Sequence, residues 1–447
     1  MRDTIFAPAT AGGRAAIAVV RISGPGAGPA LDRLAGRRPA PRRASVRRLR
    51  DAEGDPIDAA MALWFPGPAS YTGEDVAELH LHGGSAVVGR LTEALVGLGL
   101  RLAEPGEFTR RAFEAGRISL DQAEGVADLI DAETTAQARQ AVGMLEGALG
   151  RRHARWRTML AEALAFVEAV VDFPDEDTPD DVALRAGGRI ARLRDDIRRG
   201  LGEARRGERV RDGYRIALVG APNAGKSRLF NALLGRDAAI VTPVPGTTRD
   251  VLEAIAVIGG FKVVFADMAG LRTADEPIER EGVRRAGAWA ADADLRLWVV
   301  DGAADCGEWR LASEVARAGD MLVINKADLA PGPDTRDAAH FAAGVELGRL
   351  DVSAETGVGL PRLRAALSAR VAADLTGAEF PAVTRARHAG LLAEALAHLD
   401  RATASLEAPE LAAEDLRLAA RALARVPGRS GAEDVLDVIF SGFCIGK

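Results

Sequence analysis

One short pattern constrains the fold of this chain more than any other part of the sequence. Residues 215–227 read Arg-Ile-Ala-Leu-Val-Gly-Ala-Pro-Asn-Ala-Gly-Lys-Ser, which is an apolar strand, a loop bounded by glycines and the start of a helix. The spacing from Gly220 to Lys226 and Ser227 follows the G-x-x-x-x-G-K-S pattern, whose backbone N–H groups surround phosphate oxygens. In this pattern the lysine reaches the β- and γ-phosphates, and the serine hydroxyl binds Mg²⁺. The stretch therefore predicts a nucleotide-binding α/β domain.

Four further motifs follow this phosphate loop, in the order that a GTP-binding domain requires. They read Gly-Thr-Thr-Arg-Asp at 246–250, Asp-Met-Ala-Gly at 267–270, Asn-Lys-Ala-Asp at 325–328 and Ser-Ala at 353–354. The Asp267 carboxylate can hold a Mg²⁺-bound water, and the Gly270 N–H can meet the γ-phosphate. The Asp328 carboxylate can accept hydrogen bonds from guanine N1–H and N2–H₂, a donor pattern that adenine lacks. The five motifs together predict that the nucleotide is GTP.

The motifs also define the residues that we expect to contact GTP. These are Asn223, Ala224, Gly225, Lys226, Ser227, Arg228, Thr247, Thr248, Asp267, Gly270, Asn325, Lys326, Asp328, Ser353 and Ala354. Ser227 and Thr248 are the predicted Mg²⁺ ligands, because their hydroxyl groups stand where a GTPase binds the ion.

The same motifs leave the machinery for hydrolysis incomplete. Leu271 follows Gly270 at the position where Ras-type GTPases carry the glutamine that orients the attacking water. Glu279 lies close downstream and can orient or activate water, while the alternative is a solvated carboxylate at the start of a helix. No arginine stands out as an internal finger, so we expect positive charge to be supplied from elsewhere.

A length of 447 residues predicts two or three domains. Strands and helices alternate from 213 to 374, which predicts a Ras-like domain whose mostly parallel sheet binds ligands at the strands' C-terminal ends. Apolar residues recur every three or four positions in 119–212 and again in 375–447, which predicts one helical domain that the Ras-like domain interrupts. Residues 1–118 mix short strands and helices and form a separate α/β domain. The expected fold class is therefore multidomain, α/β plus all-α.

Within the first domain, the pattern predicts strands at 16–22, 61–65 and 75–82 and a helix at 86–98. Residues 37–50 are rich in arginine and proline. We interpret them as a solvated loop, with an RNA-contacting patch as the alternative.

Composition excludes several classes of protein. A formal net charge of -6 argues against a protein that coats nucleic acid non-specifically. Cys306 and Cys444 are far apart, so we expect a reducing, cytoplasmic environment without a disulfide framework. No apolar run is long enough to span a bilayer, so no membrane association is expected. The arginine-rich start could indicate a mitochondrial transit peptide, but strand-like sequence begins at once.

The motif set resembles the tRNA modification GTPases of the MnmE (TrmE) family over essentially the whole chain. The matching stretches are Asp-Thr-Ile at 3–5, Val-Arg-Ile-Ser-Gly at 20–24, Phe-Pro-Gly-Pro at 65–68, Tyr-Thr-Gly-Glu-Asp at 71–75, His-Gly-Gly at 82–84, Pro-Gly-Glu-Phe at 105–108, Leu-Asp-Gln-Ala-Glu at 120–124, Asp-Phe-Pro-Asp at 172–175, the phosphate loop, 246–250, and Phe-Cys-Ile-Gly-Lys at 443–447. A terminal Cys-Ile-Gly-Lys in a chain with an inserted GTPase domain is highly specific.

This resemblance implies a mechanism of GTP hydrolysis. In the family, the GTPase domains pair across a dimer in a potassium-dependent way, and the ion stands where an arginine finger would. The implied K⁺ ligands are Asn223, Thr242, Val244 and Thr247, and Thr242 is also an implied GTP contact. The family's catalytic glutamate corresponds to Glu279.

The resemblance also implies a one-carbon chemistry. The first domain resembles folate-binding domains and mediates constitutive dimerisation. Its contacts with 5,10-methylene- or 5-formyl-tetrahydrofolate correspond to Arg21, Glu78 and Arg117, with Lys447 at the C-terminus, and Cys444 is an implied reaction-site residue. With the FAD-dependent partner MnmG (GidA), in a heterotetramer, the family adds aminomethyl or carboxymethylaminomethyl groups to carbon 5 of wobble uridine in certain tRNAs.

The sequence departs from the family pattern at two positions. Met268 follows Asp267 where threonine is usual, and Arg117 stands where the family often has lysine.

Two other function classes stay open at this stage: a regulatory GTPase switch whose output is binding, and a ribosome-assembly GTPase. Folate binding by the first domain would favour a modification enzyme over both of these classes.

Overall fold

The computed structural model describes residues 3–172, 181–221, 223–238, 252–267, 289–303, 319–329, 348–377, 385–426 and 433–446. The chain divides into two compact units. Unit 1 comprises Met1–Ala127, Met144–Leu193 and Glu394–Lys447, and unit 2 comprises Asp128–Gly143 and Arg194–Ala393.

Unit 1 contains a six-stranded sheet with three short helices. Its strands are β1 (Ile5–Pro8), β2 (Ile17–Ser23), β3 (Ser45–Arg50), β4 (Pro56–Phe65), β5 (Val76–His82) and β6 (Arg101–Leu102), and its helices are α1 (Ala27–Ala35), α2 (Ser85–Gly97) and α3 (Glu107–Glu114). The strand order is β3-β4-β5-β2-β1-β6, and every pair is antiparallel except β1 with β6. The predicted α/β character of the first domain is therefore confirmed, as are the strands at 16–22, 61–65 and 75–82 and the helix at 86–98.

One face of this sheet forms the main core, and the other carries polar side chains beside a smaller apolar cluster that includes Ile5 and Phe108. Val20 and Leu79 point toward Leu31 of α1 and Leu91 of α2, and all four are essentially buried. Because side chains alternate along a strand, the residues between them point to the opposite face of the sheet. That second face therefore holds residues such as Glu78, whose side chain lies outside the main core and can contact a ligand.

The interpretation of 37–50 as a solvated loop is wrong for its second half. Ser45–Arg50 form the edge strand β3, which pairs antiparallel with β4. Leu49 is fully buried in the core, but its neighbours on both sides are exposed arginines. An edge strand needs only a few inward apolar residues, so the arginine run concealed the alternation that identifies it.

Among the described residues, seven helices match the helical pattern of the sequence. They are α4 (Leu120–Ile130), α5 (Thr135–Leu145), α6 (Ala148–Asp172), α7 (Asp181–Asp212), α10 (Ala386–Ala404), α11 (Pro409–Arg425) and α12 (Glu433–Ser441). Within unit 1, α6 buries Trp156, Leu160 and Val167 on one stripe. It packs against α11, where Leu416 and Leu423 form the corresponding stripe. The three- and four-residue spacing thus places the apolar residues on one face of each helix, and these faces pack together, as predicted.

Unit 2 contains a second six-stranded sheet, built by alternating strands and helices. Its elements are β7 (Tyr214–Val219), α8 (Lys226–Ala238), β8 (Leu252–Ile258), β9 (Phe261–Asp267), β10 (Leu295–Asp301), β11 (Met321–Asn325), β12 (Gly348–Asp351) and α9 (Leu360–Leu375). The order is β12-β11-β10-β7-β9-β8, and only the β8–β9 pair is antiparallel. The predicted mostly parallel sheet is confirmed.

The core of unit 2 lies on both faces of this sheet. Leu229 of α8 and Leu367 of α9 pack against Ile216 and Leu218 on one face, and the other face is formed around Trp298. Strands that are covered on both faces read as continuous apolar runs, which is why these segments were recognisable in the sequence. The carboxyl ends of β7, β9 and β11 lead into the first, third and fourth sequence motifs.

Among the described residues, we find no helix that combines the length and the apolarity needed to cross a bilayer.

Candidate functional site

The phosphate loop joins β7 to α8 and has the backbone geometry that its sequence demands. Gly220, Asn223 and Gly225 all have positive φ, at 154°, 70° and 86°. Lys226 is buried, and its Nζ donates to the carbonyl oxygens of Gly220 and Ala221, both at 2.9 Å. The lysine thus lies across the loop with its ammonium group held against the loop backbone, and loops of this kind bind phosphate through their backbone N–H groups.

Asn325 links the phosphate loop to the Ser-Ala motif at 353–354. Its side chain is buried; Nδ2 donates to the Ala224 carbonyl at 2.9 Å, and Oδ1 accepts from the Ala354 N–H at 3.1 Å. One amide therefore fixes two loops that are more than a hundred residues apart in sequence. The sequence predicted Asn325 as a GTP contact but gave no signal of this bridging role.

Gly225 is a loop position where a side chain would displace Asn325. A Cβ there would lie 2.2 Å from Asn325 Nδ2, in a backbone conformation that side chains disfavour. We expect Gly225→Ala to break the hydrogen bond from Asn325 to Ala224 and to lower GTP affinity at least about tenfold, or about 1.4 kcal/mol. Titration with a fluorescent GTP analogue measures the loss.

Gly150 in α6 provides the matched control. A Cβ added there meets no atom within 4 Å. Gly150→Ala should leave GTP affinity unchanged and stabilise the helix by about 0.5–1 kcal/mol. If Gly225→Ala bound GTP as tightly as Gly150→Ala, the rigid bridge by Asn325 would have no role in binding.

The guanine-side motif follows β11 in a tight turn. Lys326 has a positive φ of 60°, and its Nζ pairs with Asp301 Oδ2 at 2.6 Å. Burial acts to raise the pKa of Asp301, but hydrogen bonds from Lys326 and from the Ala303 N–H outweigh it and hold the pKa below its ordinary value. The ion pair fixes the lysine stem, while the Asp328 side chain is exposed in the following turn. Asp301 is a residue that the sequence analysis missed.

Some of the remaining predicted GTP contacts are described by the structure, and the others lie outside the described residues. Ser227 and Arg228 are exposed on the first turn of α8, and Ser353 is buried, with its Oγ accepting from the Thr356 N–H at 3.1 Å. Asp267 ends β9 as predicted. Thr242, Val244, Thr247, Thr248, Gly270 and Glu279 lie outside the described residues, as does Lys447.

A second site lies in unit 1, on the polar face of its sheet. It is a cavity of about 320 Å³ whose lining comprises Arg21, Arg42, Phe65, Ala69, Ser70, Tyr71, Val76, Glu78 and Arg117. It brings together Arg21, Glu78 and Arg117, the described members of the implied folate set. Arg21 and Glu78 are direct partners in the β2–β5 register, and Arg21 Nε donates to Glu78 Oε1 at 2.9 Å.

Aromatic side chains hold this ion pair in place. The Arg21 guanidinium lies 5.5 Å from the centre of the Tyr71 ring and 5.7 Å from that of Phe108. Burial raises the pKa of Tyr71, against the opposing effects of Thr109 and Arg21, so its phenol stays neutral at physiological pH. The sequence analysis included Tyr71 only as part of a motif and did not single out Arg42, which was hidden in the arginine run.

Cys444 is exposed just after α12 and is not part of the cavity lining. The neighbouring backbone is tightly packed, because a Cβ at Gly446 would lie 2.1 Å from the Pro8 carbonyl oxygen. The C-terminal motif is therefore held against the end of β1, within unit 1.

Comparison with known proteins identifies the family of the chain. Residues 120–444 match the family model described as "MnmE helical domain", and residues 4–117 match "GTP-binding protein TrmE N-terminus". The chain is similar to proteins named tRNA modification GTPase MnmE: 59% identical to that of Phenylobacterium zucineum and 56% to that of Caulobacter vibrioides, with 100% of each chain covered. The MnmE of Parvibaculum lavamentivorans is 52% identical, again over 100% of both chains. The chain therefore belongs to the MnmE family of tRNA modification GTPases.

Proposed function

We propose that this chain is a potassium-dependent GTPase that acts with a flavoprotein partner on tRNA. The reaction is the addition of an aminomethyl or carboxymethylaminomethyl group to carbon 5 of the wobble uridine, position 34. The observation that carries the proposal is the Asn325 bridge, which joins the phosphate loop to the guanine-side loops in a chain related over its full length to tRNA modification GTPases.

The described residues of the nucleotide motifs support a GTP site. Lys226 would contact the phosphates, Ser227 with Thr248 would hold Mg²⁺, and Asp328 would select guanine. Because Leu271 replaces the water-orienting glutamine, Glu279 is proposed to orient the attacking water.

Potassium takes the electrostatic role of an arginine finger in this proposal. Its ligands would be Asn223, Thr242, Val244 and Thr247, across a homodimer in which two GTPase domains face each other. Asn223 supports this assignment, since it is exposed in the phosphate loop and its amide oxygen is accessible to an ion.

The cavity in unit 1 would hold 5,10-methylene- or 5-formyl-tetrahydrofolate, the source of the one-carbon unit. The Glu78 carboxylate suits the N–H donors of a pteridine ring, and Arg117 suits a carboxylate of the glutamate tail. Lys447 would complete the site, and Cys444 would act near it. The volume of about 320 Å³ lies at the lower end of the range for small-molecule sites.

The proposed assembly follows the domain plan of the sequence. Residues 1–118 would form the folate-binding dimerisation domain, 119–212 and 375–447 the helical domain, and 213–374 the Ras-like domain. The homodimer would join the FAD-dependent protein MnmG in a cytoplasmic heterotetramer.

Deleting the gene in its own organism tests this function. We expect mass analysis of nucleosides from purified tRNAs to show unmodified uridine at position 34 in place of the aminomethylated forms. Restoring the intact gene should restore the modification. Normal wobble modification in the deletion strain would disprove the proposed reaction, while leaving GTP hydrolysis open to another role.

Potassium dependence is tested separately, on the purified protein. We expect GTP hydrolysis to be faster in KCl than in NaCl at equal ionic strength, because the larger ion suits a site of carbonyl and amide oxygens. Steady-state phosphate release measures the rates. Equal rates in the two salts would contradict activation by a potassium-dependent dimer.

A further inference from the structure

One edge of unit 1 carries a concentration of positive charge. Eight arginines and no acidic residue lie between positions 33 and 50, in a chain whose formal net charge is -6. They occupy the end of α1, the loop that follows it and the edge strand β3. We call residues 33–50 the arginine edge. Its charge is opposite in sign to that of the whole chain.

Few of these arginines have a counter-charge. Arg38 pairs with Asp32 and is the only arginine of the edge with a carboxylate partner among the described residues. Three others donate only to backbone carbonyls. Arg37, Arg43 and Arg48 are exposed, and in the part of the chain that the structure describes their side chains form no hydrogen bond or ion pair. These guanidinium groups are therefore available to an anion from outside the chain.

The strand geometry determines which face part of this charge occupies. Leu49 points into the core beneath the helices, so Arg48, its neighbour in the strand, points to the opposite face. The pairing of β3 with β4 and of β4 with β5 places Arg48 on the same face as Glu78. The arginine edge and the cavity of unit 1 thus open on one side of the sheet.

Arg42 makes the two features continuous. It belongs to the arginine edge, yet it also lines the cavity, where its guanidinium lies 5.8 Å from the centre of the Phe65 ring. Its backbone has a positive φ of 61°. A polyanion bound along the edge would therefore reach the rim of the cavity.

Protection of the sheet edge does not account for the whole pattern. Charged residues on an edge strand prevent pairing with other chains, and Arg48 on β3 can serve that purpose. Arg37 and Arg43 precede the strand and protect no edge. Their position calls for a different explanation.

We propose that the arginine edge binds the sugar-phosphate backbone of tRNA and thereby presents the wobble nucleotide to the cavity next to Arg42. This inference rests on the proposed action on tRNA. One guanidinium group can bind two phosphate oxygens at once. Contacts of this kind position a nucleic acid without reading its sequence. The net negative charge of the chain as a whole opposes non-specific attraction of RNA, so binding needs a local concentration of positive charge such as this edge.

The test is tRNA binding by the full chain carrying Arg37→Ala, Arg43→Ala and Arg48→Ala together. The probe is an unmodified transcript of a tRNA with uridine at position 34, titrated at several KCl concentrations. We expect the affinity to fall at least about tenfold at 0.1 M KCl, and the slope of log affinity against log salt to decrease by about two to three. GTP hydrolysis should be unchanged. Replacing the same three arginines with lysine should preserve the slope, because charge is retained.

A triple variant on α7 provides the matched control. Arg192, Arg205 and Arg206 are also exposed, and their replacement by alanine removes the same charge. We expect this control to bind tRNA like the wild type. Three results would each overturn the inference. The first is an equal loss of tRNA affinity in the two triple-alanine variants. The others are an unchanged salt slope in the arginine-edge variant, and a salt slope that lysine and alanine reduce equally.

Two further results separate the possible failures. If the wild-type chain binds no tRNA at any salt concentration, the proposed function fails at its RNA step, and the inference fails with it. If the arginine-edge variant binds tRNA normally but binds a polyglutamylated tetrahydrofolate more weakly than the wild type does, the edge serves the folate tail. That result would overturn the RNA assignment and leave the proposed function intact.

Discussion

An Asp328→Asn variant should lose guanine nucleotides and gain xanthine nucleotides. The carboxylate would accept from guanine N1–H and N2–H₂, and each such charged hydrogen bond contributes about 1.5–3 kcal/mol. With asparagine, the bond to guanine N1–H loses its charge and the amide N–H₂ opposes the N2–H₂ group, so a cost of about 3–6 kcal/mol and a fall in GTP affinity of roughly 10²- to 10⁴-fold are expected. Xanthine has a carbonyl oxygen in place of the 2-amino group, so the asparagine amide can accept from N1–H and donate to that oxygen.

The structure explains why this substitution should spare the fold. The Asp328 side chain is exposed and forms no hydrogen bond or ion pair with the described residues. The loop around it is held by other groups: Asn325 bridges to Ala224, and Lys326 pairs with Asp301. Removing the Asp328 charge therefore changes what the loop recognises and not how it is built.

Nucleotide titrations with GTP and XTP on the wild type and the variant measure this exchange of preference. Asp292→Asn is the control, because Asp292 is also exposed, lies in unit 2 and has no partner among the described residues. It should leave both affinities unchanged. If Asp328→Asn bound GTP like the wild type, the guanine base would have to be recognised by another group.

The fold of unit 2 was predictable because its sequence signals are local and mutually consistent. Alternating apolar strands and helices imply parallel crossovers, and parallel strands bring their carboxyl ends to one edge. Gly220, Asp267 and Asn325 each follow or end such a strand, so their proximity follows from topology alone. Its glycines also indicate two of the three positive-φ positions of the loop, Gly220 and Gly225, but not the third, Asn223.

Contacts between distant loops were not predictable in the same way. The hydrogen bonds of Asn325 to the backbone at Ala224 and Ala354 depend on the relative placement of three loops, which no local pattern encodes. The pairing of Lys326 with Asp301 depends on which strands are neighbours, β10 and β11. Sequence reasoning identifies residue types that suit a ligand, whereas the residues that position them emerge only from the fold.

The cavity of unit 1 shows the same limit more strongly. Arg21, Glu78 and Arg117 entered the candidate set only through family resemblance, because nothing in their spacing links them. The structure gives a physical reason for the first two, since Arg21 faces Glu78 across the β2–β5 pair. Arg117 joins them at the cavity through its position just after α3. Their role as folate ligands stays a prediction.

Glu78→Gln should separate that predicted role from GTP hydrolysis. The amide keeps the size of the carboxylate, and its oxygen can still accept from Arg21 Nε, so the pair stays in place without its charge. Both side chains are partly buried, at 23% and 19% exposure, and we expect a loss of stability of about 1–3 kcal/mol. A pteridine ring would lose one charged acceptor and face an amide N–H₂ where it needs an oxygen. Affinity for 5-formyl-tetrahydrofolate should therefore fall about 10²-fold.

Isothermal titration calorimetry measures folate affinity, and phosphate release measures GTP hydrolysis in the same preparations. We expect kcat for GTP to be unchanged, because Glu78 lies in unit 1 and the nucleotide motifs lie in unit 2. Glu93→Gln is the control, since Glu93 is exposed on α2, which covers the opposite face of the sheet. It removes the same charge and should leave folate binding intact. Equal folate affinity in the Glu78→Gln variant and the wild type would show that the cavity binds its ligand without this carboxylate. A loss in both variants would instead indicate that the net charge of the domain, and not hydrogen bonding by Glu78, governs affinity.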